Sequence, residues 1–97
     1  MYNQTNSFVT FFYNLESYKK IYAYDILKEL NYKSEKGSNV EELYFLFKNR
    51  KRKLIRNIIC ELDGSLIICK KEKCIGREHR YFITKEGIEI INEYFGK

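Results

Sequence analysis

The chain contains no proline and only five glycines, Gly37, Gly64, Gly76, Gly87 and Gly96, in 97 residues. Proline and glycine are the strongest local interrupters of regular structure, so long elements are expected, broken at a few identifiable points. Before Gly37 the apolar side chains Phe8, Phe11, Phe12, Leu15, Tyr18, Tyr22, Ile26 and Leu30 recur at three- and four-residue steps, the spacing of one helical stripe. A single helix from Ser7 to Leu30 would run about 36 Å, longer than a core of this size uses. The spacing therefore predicts helix, in one piece or two, with part of it left to face a partner.

The polar stretch NYKSEKGS, residues 31–38, reads as a loop ending in a Ser38 or Asn39 cap, with Glu41 and Glu42 in the first turn of a second helix. Val40, Leu43, Tyr44 and Phe47 give that helix a buried face. The run NRKRK interrupts the pattern, and a third helix follows. Its apolar positions, Leu54, Ile55, Ile58, Ile59 and Leu62, lie on one side, while Arg52, Lys53, Arg56 and Asn57 lie on the other. Asp63-Gly64 is expected to close it. SLIICKKEK and REHRYFIT are then two β-branched and aromatic runs around Cys74-Ile75-Gly76, the pattern of a hairpin. Thr84 offers a cap for a last helix, KEGIEIINEYF, with Ile88, Ile91, Tyr94 and Phe95 at helical spacing. The order is helix, helix, helix, hairpin, helix: a mainly α domain with a β-hairpin, α+β in class, preceded by an N-terminal amphipathic segment. A chain this short closes one core, so residues 1–97 are expected to form one domain, with 1–16 as its extension.

Basic side chains outnumber acidic ones 18 to 13, and the excess is localised. Residues 1–49 carry six lysines against six acids, and residues 86–97 one lysine against three, so the surplus, eleven against four, lies within 50–85. Such a segment points to a polyanion. No run of 18 apolar residues occurs, and the start MYNQTNSFVTFF lacks a basic leader and a small-residue cleavage site. Neither a spanning helix nor a signal peptide is expected, and a cytoplasmic location follows, host cytoplasm if the protein is viral.

Three cysteines, Cys60, Cys69 and Cys74, make an odd number without C-x-x-C spacing, so reduced thiols are expected rather than a disulfide framework. Cys69-x4-Cys74-x4-His79, with Cys60 upstream, is the one arrangement resembling a metal site, but its wide spacing fits tetrahedral zinc poorly. Neither metal nor cofactor is expected, and a redox switch or intersubunit disulfide through Cys69 or Cys74 is the alternative to buried or idle thiols. His79 is the single histidine, with no nucleophile or carboxylate pair beside it. The basic segment supplies only Glu61, Asp63, Glu72 and Glu78, spread over helix end and hairpin, where a metal-dependent nuclease needs converging carboxylates. Enzymatic activity is not expected.

Two segments, EELYFLFKNRKRKLIRNIICELDGSLII and RYFITKEGIEII, together with this element order, resemble the winged helix-turn-helix domains of small bacterial, archaeal and viral transcription regulators. The similarity covers residues 17–96. The first segment looks like the family's scaffold helix, tight turn, recognition helix and first wing strand. In the second, Tyr81, Ile83, Thr84 and Gly87 match the family's aromatic-x-aliphatic-Thr-x-x-Gly pattern. Three departures stand. Leu66-Ile67-Ile68-Cys69 is apolar on both faces, implying a cover from the N-terminal helix or a second subunit. The eight-residue loop leaves open a register in which KIYAYDILKEL is the scaffold helix. Residues 1–16 fall outside the similarity.

The resemblance implies a sequence-specific double-stranded DNA-binding regulator of transcription, acting as a homodimer through recognition helix 51–62 and wing 66–84. Arg52 and Arg56 would then reach guanine and Asn57 adenine, with Arg50, Lys51 and Lys53 on phosphates. Lys70, Lys71, Lys73, Arg77 and Arg80 would serve the wing. The aromatic stripe Phe8, Phe11, Phe12 and Leu15 reads as core, as a dimer interface or, lacking basic flanks, less readily as a membrane-surface helix. Neither membrane nor small-molecule partner is expected. The small size, and a composition rich in Asn, Lys, Ile, Tyr and Phe, also resemble winged-helix proteins of archaeal viruses. The competing reading is a winged helix that docks on an acidic protein.

Overall fold

The computed structural model describes residues 14–72 and 79–95. Their elements are helix α1 (Ser17–Lys33), a 3-10 turn (Ser34–Lys36), helix α2 (Val40–Leu46), helix α3 (Arg52–Gly64), strands β1 (Ile68–Glu72) and β2 (His79–Ile83), and helix α4 (Lys85–Ile90), which runs on as a π turn (Ile91–Phe95). The two strands pair antiparallel, Ile68 opposite Ile83 and Glu72 opposite His79. The fold is thus mainly helical with one two-stranded sheet. Among the described residues no helix is long and apolar enough to cross a membrane.

One core unites these elements. Ala23, Ile26, Leu27 and Leu30 of α1, Leu43 and Tyr44 of α2, and Ile55, Ile58, Ile59 and Leu62 of α3 are buried together with Leu15, Ile67, Ile68 and Ile90. Fully burying an aliphatic side chain of this size contributes about 1.5–3 kcal/mol, so the three facing helical stripes dominate the stability. On α1 the buried face is rotated from the expected stripe: Leu27 and Ala23 are inside, whereas Tyr18 is half exposed. Its aromatic ring carries a hydroxyl that stays in water, where it meets Glu16 at 3.2 Å.

The start of α1 removes the one-piece alternative. Asn14 and Leu15 form a turn and bend, and Glu16 is extended at φ −61°, ψ 145°, so no single helix runs from Ser7 to Leu30. Leu15 tucks into the core of its own chain. The other end runs longer than expected. Polarity alone does not stop a helix, and Asn31, Tyr32 and Lys33 continue α1, with Lys33 paired to Glu29 one turn back at 3.6 Å. The stop comes at Ser34, φ 54°, whose N–H donates to Leu30 O.

Gly37 has a positional reason. At φ 64° a Cβ there would sit 2.6 Å from Tyr81 O and 2.7 Å from the Phe82 ring. The close approach lets Ser38 pair with Tyr81 across β2's free edge, through N–H to O contacts of 3.0 and 2.7 Å. Asn39 then caps α2 in a reciprocal box, its Oδ1 accepting from Glu42 N at 2.8 Å and its own N–H donating to Glu42 Oε1 at 3.1 Å.

The end of α3 departs from the Asp63-Gly64 expectation. Gly64 is still helical, with open space where a Cβ would be, and the chain reverses at Leu66, φ 63°. Thr84 holds this unusual turn: its hydroxyl lies 2.7 Å from both Leu66 O and Ile67 O while accepting from Gly87 N at 3.1 Å. Ile67 is consequently buried before β1 begins, so the doubly apolar run is a turn plus one buried strand residue, not a strand with two buried faces. Gly87 completes the joint, since a Cβ would be driven onto Ile67 O and to 2.7 Å from Ile83 Cγ1. Docking through Gly87 sets α4's inward face to Gly87, Ile90 and Ile91, leaving Ile88 exposed against expectation.

Candidate nucleic-acid interface

Helix α3 is divided cleanly by its three- and four-residue spacing. Ile55, Ile58, Ile59 and Leu62 are buried, and Lys53, Arg56, Asn57 and Cys60 are exposed on the opposite side. The polar side is held outward because α1 clamps the other, partly through Lys19 Nζ and Glu61 Oε2 at 3.1 Å. That contact, a hydrogen bond to Glu61 opposed by desolvation, raises the Lys19 pKa above its usual 10.5. The approach to α3 is a tight turn in which Lys48, Asn49 and Lys51 all have φ between 54° and 61°. Lys51 is the N-cap and offers no side-chain cap.

Cations at the positive end of a helix dipole are destabilising, each by about 0.3–1 kcal/mol when exposed. Arg50, Lys51, Arg52 and Lys53 stand together there and all are exposed. Arg52 is engaged within the protein surface: its Nη2 lies 3.2 Å from Asn49 Oδ1 and 3.4 Å from Glu41 Oε1, and its guanidinium sits 4.9 Å from the centre of the Tyr44 ring. Among the described residues, no carboxylate is within ion-pairing distance of Arg50, Lys51, Lys53 or Arg56.

The hairpin sorts by strand alternation the basic residues that sequence alone groups together. Paired residues project to one side, so Ile68 with Ile83 and Lys70 with Tyr81 share the face that continues from the core. Cys69 with Phe82 and Lys71 with Arg80 share the reverse face. Lys70 is exposed and faces α3. Lys71 turns away and lies 5.6 Å from the Phe82 ring centre.

Arg80 departs furthest from its expected place among the wing's DNA contacts. Its side chain is only 14% exposed. Nε donates to Lys36 O at 2.8 Å, and Nη2 donates to Gly37 O and to Glu42 Oε1, each at 3.0 Å. It latches β2 to the segment between α1 and α2, and its donors are aimed into the protein. Lys73 and Arg77, like Phe8, Phe11 and Phe12, lie outside the described residues.

Between α2, α3 and the hairpin runs an open groove of about 570 Å³. Val40, Glu41 and Tyr44 form one wall, Arg52, Lys53, Arg56, Ile59 and Cys60 the second, and Lys70 with Tyr81 the third. Tyr44, Cys60 and Tyr81 were not among the residues singled out by sequence for binding. The strand pattern places Tyr81 on the helix-facing side, but that its hydroxyl end reaches the groove depends on the hairpin's tilt. Burial, reinforced by the Asp63 charge, pushes the Tyr81 phenol above 10.0 and keeps it protonated.

Cys60 is exposed and Cys69 half-buried, both as free thiols. No group of three His, Cys, Asp or Glu side chains among the described residues is arranged to hold a metal. Comparison of the chain with protein-family models, with curated proteins and with solved structures gives no match in any of the three.

Proposed function

We propose that the protein is a winged helix-turn-helix DNA-binding protein that regulates transcription as a homodimer by occupying an operator. In this reading α2, the Phe47–Lys51 turn and α3 form the helix-turn-helix, and β1 with β2 form the wing. The Ser38–Tyr81 bridge supports it by fixing the hairpin to the helical body beside α3. One observation carries the reading. Arg50, Lys51, Lys53, Arg56 and Lys70 are exposed, have no carboxylate partner among the described residues, and are gathered around the start of α3 and the strand face beside it. Clustering like charges at the positive end of a helix lowers stability, and a bound polyanion offsets that cost.

Within the reading, Arg56 and Asn57 on the exposed side of α3 read base edges, and Arg50, Lys51, Lys53 and Lys70 hold phosphates. The homodimer follows from the half-site geometry common to helix-turn-helix regulators, with recognition helices about 34 Å apart. Regulation is then steric, by exclusion of other proteins from the operator. A mobility-shift titration with random duplex DNA at low and moderate salt tests the binding, and solution mass tests the dimer. Absence of any shift at micromolar protein in low salt would remove the DNA reading and favour docking on an acidic protein.

A further inference from the structure

The groove between α2, α3 and the hairpin is more selective than a basic surface. Cations reach it from two separate elements, Lys53 and Arg56 from α3 and Lys70 from β1. Its one lining carboxylate, Glu41, is turned toward Arg52 at 3.4 Å. Lys53, Arg56 and Lys70 therefore converge on a concavity with no protein anion among the described residues to satisfy them. The lining between these cations is partly apolar, with Val40 and Tyr81 both half-buried. The volume, about 570 Å³, lies in the roughly 300–1,000 Å³ range of small-molecule sites.

We infer that this groove is a discrete binding site for a phosphate group carried on a planar ring, that is, one nucleotide unit. Lys53 and Lys70 take the phosphate as charge-assisted donors, and Arg56, Val40 and the Tyr81 ring face the base. The Tyr81 hydroxyl, kept protonated by burial and by Asp63, supplies one further donor. The nucleotide has two sources, a strand of bound DNA or a free nucleoside phosphate. The inference rests on the DNA reading only for the first source. Because both occupy the same cations, a free nucleotide displaces DNA and the groove becomes a point of regulation.

The test titrates adenosine monophosphate, and separately inorganic phosphate, into the full chain while following backbone amide signals, and then repeats the titration in competition with a short duplex. Lys70→Met and Lys71→Met are compared. Both sites are exposed, and the two side chains leave opposite faces of the same strand. The expected result is saturable millimolar binding of the nucleotide, tighter than inorganic phosphate, with shifts at Arg56, Cys60 and Tyr81. Lys70→Met weakens it by roughly fivefold, whereas Lys71→Met leaves it unchanged. Nucleotide binding equally affected by both variants, or no nucleotide binding while duplex still binds, overturns the groove and leaves the DNA reading standing. Nucleotide binding with the Lys70 effect but no duplex binding supports the groove and overturns the DNA reading instead. Equal affinity for phosphate and nucleotide refutes the assignment of the wall to the base.

Discussion

Replacing Arg80 by alanine separates a wing that reaches DNA from a wing that is bolted down. As a phosphate contact, Arg80 would be dispensable for folding, and its loss would lower the salt dependence of binding by about one unit of slope. The geometry predicts the reverse. Its guanidinium makes two bonds to backbone carbonyls, Lys36 O at 2.8 Å and Gly37 O at 3.0 Å, and a third to Glu42 Oε1 at 3.0 Å. Hydrogen bonds to charged groups are worth about 1.5–3 kcal/mol when well buried. Here Lys36 and Glu42 are exposed, so solvent screening reduces that value, and the three together contribute about 2 kcal/mol. For a domain of this size about 2 kcal/mol lowers Tm by roughly 8–16 °C. Urea and thermal unfolding of Arg80→Ala, with duplex affinity measured where the variant is folded, reads both quantities. Unchanged stability with weakened, less salt-dependent DNA binding would refute the latch.

Other consequences follow from the same packing. Gly87→Ala places a methyl against Ile67 O and Ile83 Cγ1, and should destabilise by about 3 kcal/mol in urea unfolding; a loss below about 0.5 kcal/mol contradicts the close joint. Ser38 is fully buried and among the described residues its Oγ has no hydrogen-bond partner, so Ser38→Ala, which keeps the backbone bridge to Tyr81, should raise stability by about 1 kcal/mol. A clear destabilisation would show that the hydroxyl is bonded. The pKa values of both Tyr81 and Lys19 are raised in the folded protein, from 10.0 and 10.5. Folding therefore favours their protonated forms, and the stabilisation they provide is present below pH 10 and lost as pH rises through the folded values. Urea midpoints on either side of pH 10 should fall more steeply for wild type than for Tyr81→Phe, and equal slopes would rule the phenol out.

Much of the fold is legible because the helices obey simple spacing. The α3 stripe Ile55, Ile58, Ile59, Leu62 is buried as expected, and the Asn39 and Thr84 caps stand where short polar side chains precede apolar periodicity. What the sequence conceals depends on tertiary contacts. Gly87 sets α4's inward face through a backbone approach, so Ile90 is inside and Ile88 outside. Leu66 adopts the left-handed region that glycine usually supplies because Thr84 holds its carbonyl. At the candidate site, charge counting located a basic segment but could not sort its members. Arg80 is drawn inward, and Arg52 is held at the surface, by partners 38 and 11 residues away. Lys70 and Lys71, adjacent in sequence, part company through a strand period of two, a division visible once the register Lys70 to Tyr81 is fixed.

The claim that the exposed cations of α3 and β1 meet nucleic-acid phosphates is tested most directly by the salt dependence of duplex binding. With Arg80 latched into the protein, Arg52 held at the surface by Glu41 and Asn49, and Arg56 left for a base edge, Arg50, Lys51, Lys53 and Lys70 are the described cations that face phosphates in this reading. Four phosphate contacts predict a slope of log K against log salt near about −3.6, a fall of roughly 150-fold between 50 and 200 mM. Measured by fluorescence anisotropy on a labelled duplex, that slope should lessen by about one unit in Lys70→Met and remain unchanged in Lys71→Met. Absence of binding at low salt, or an affinity indifferent to salt, would contradict the account.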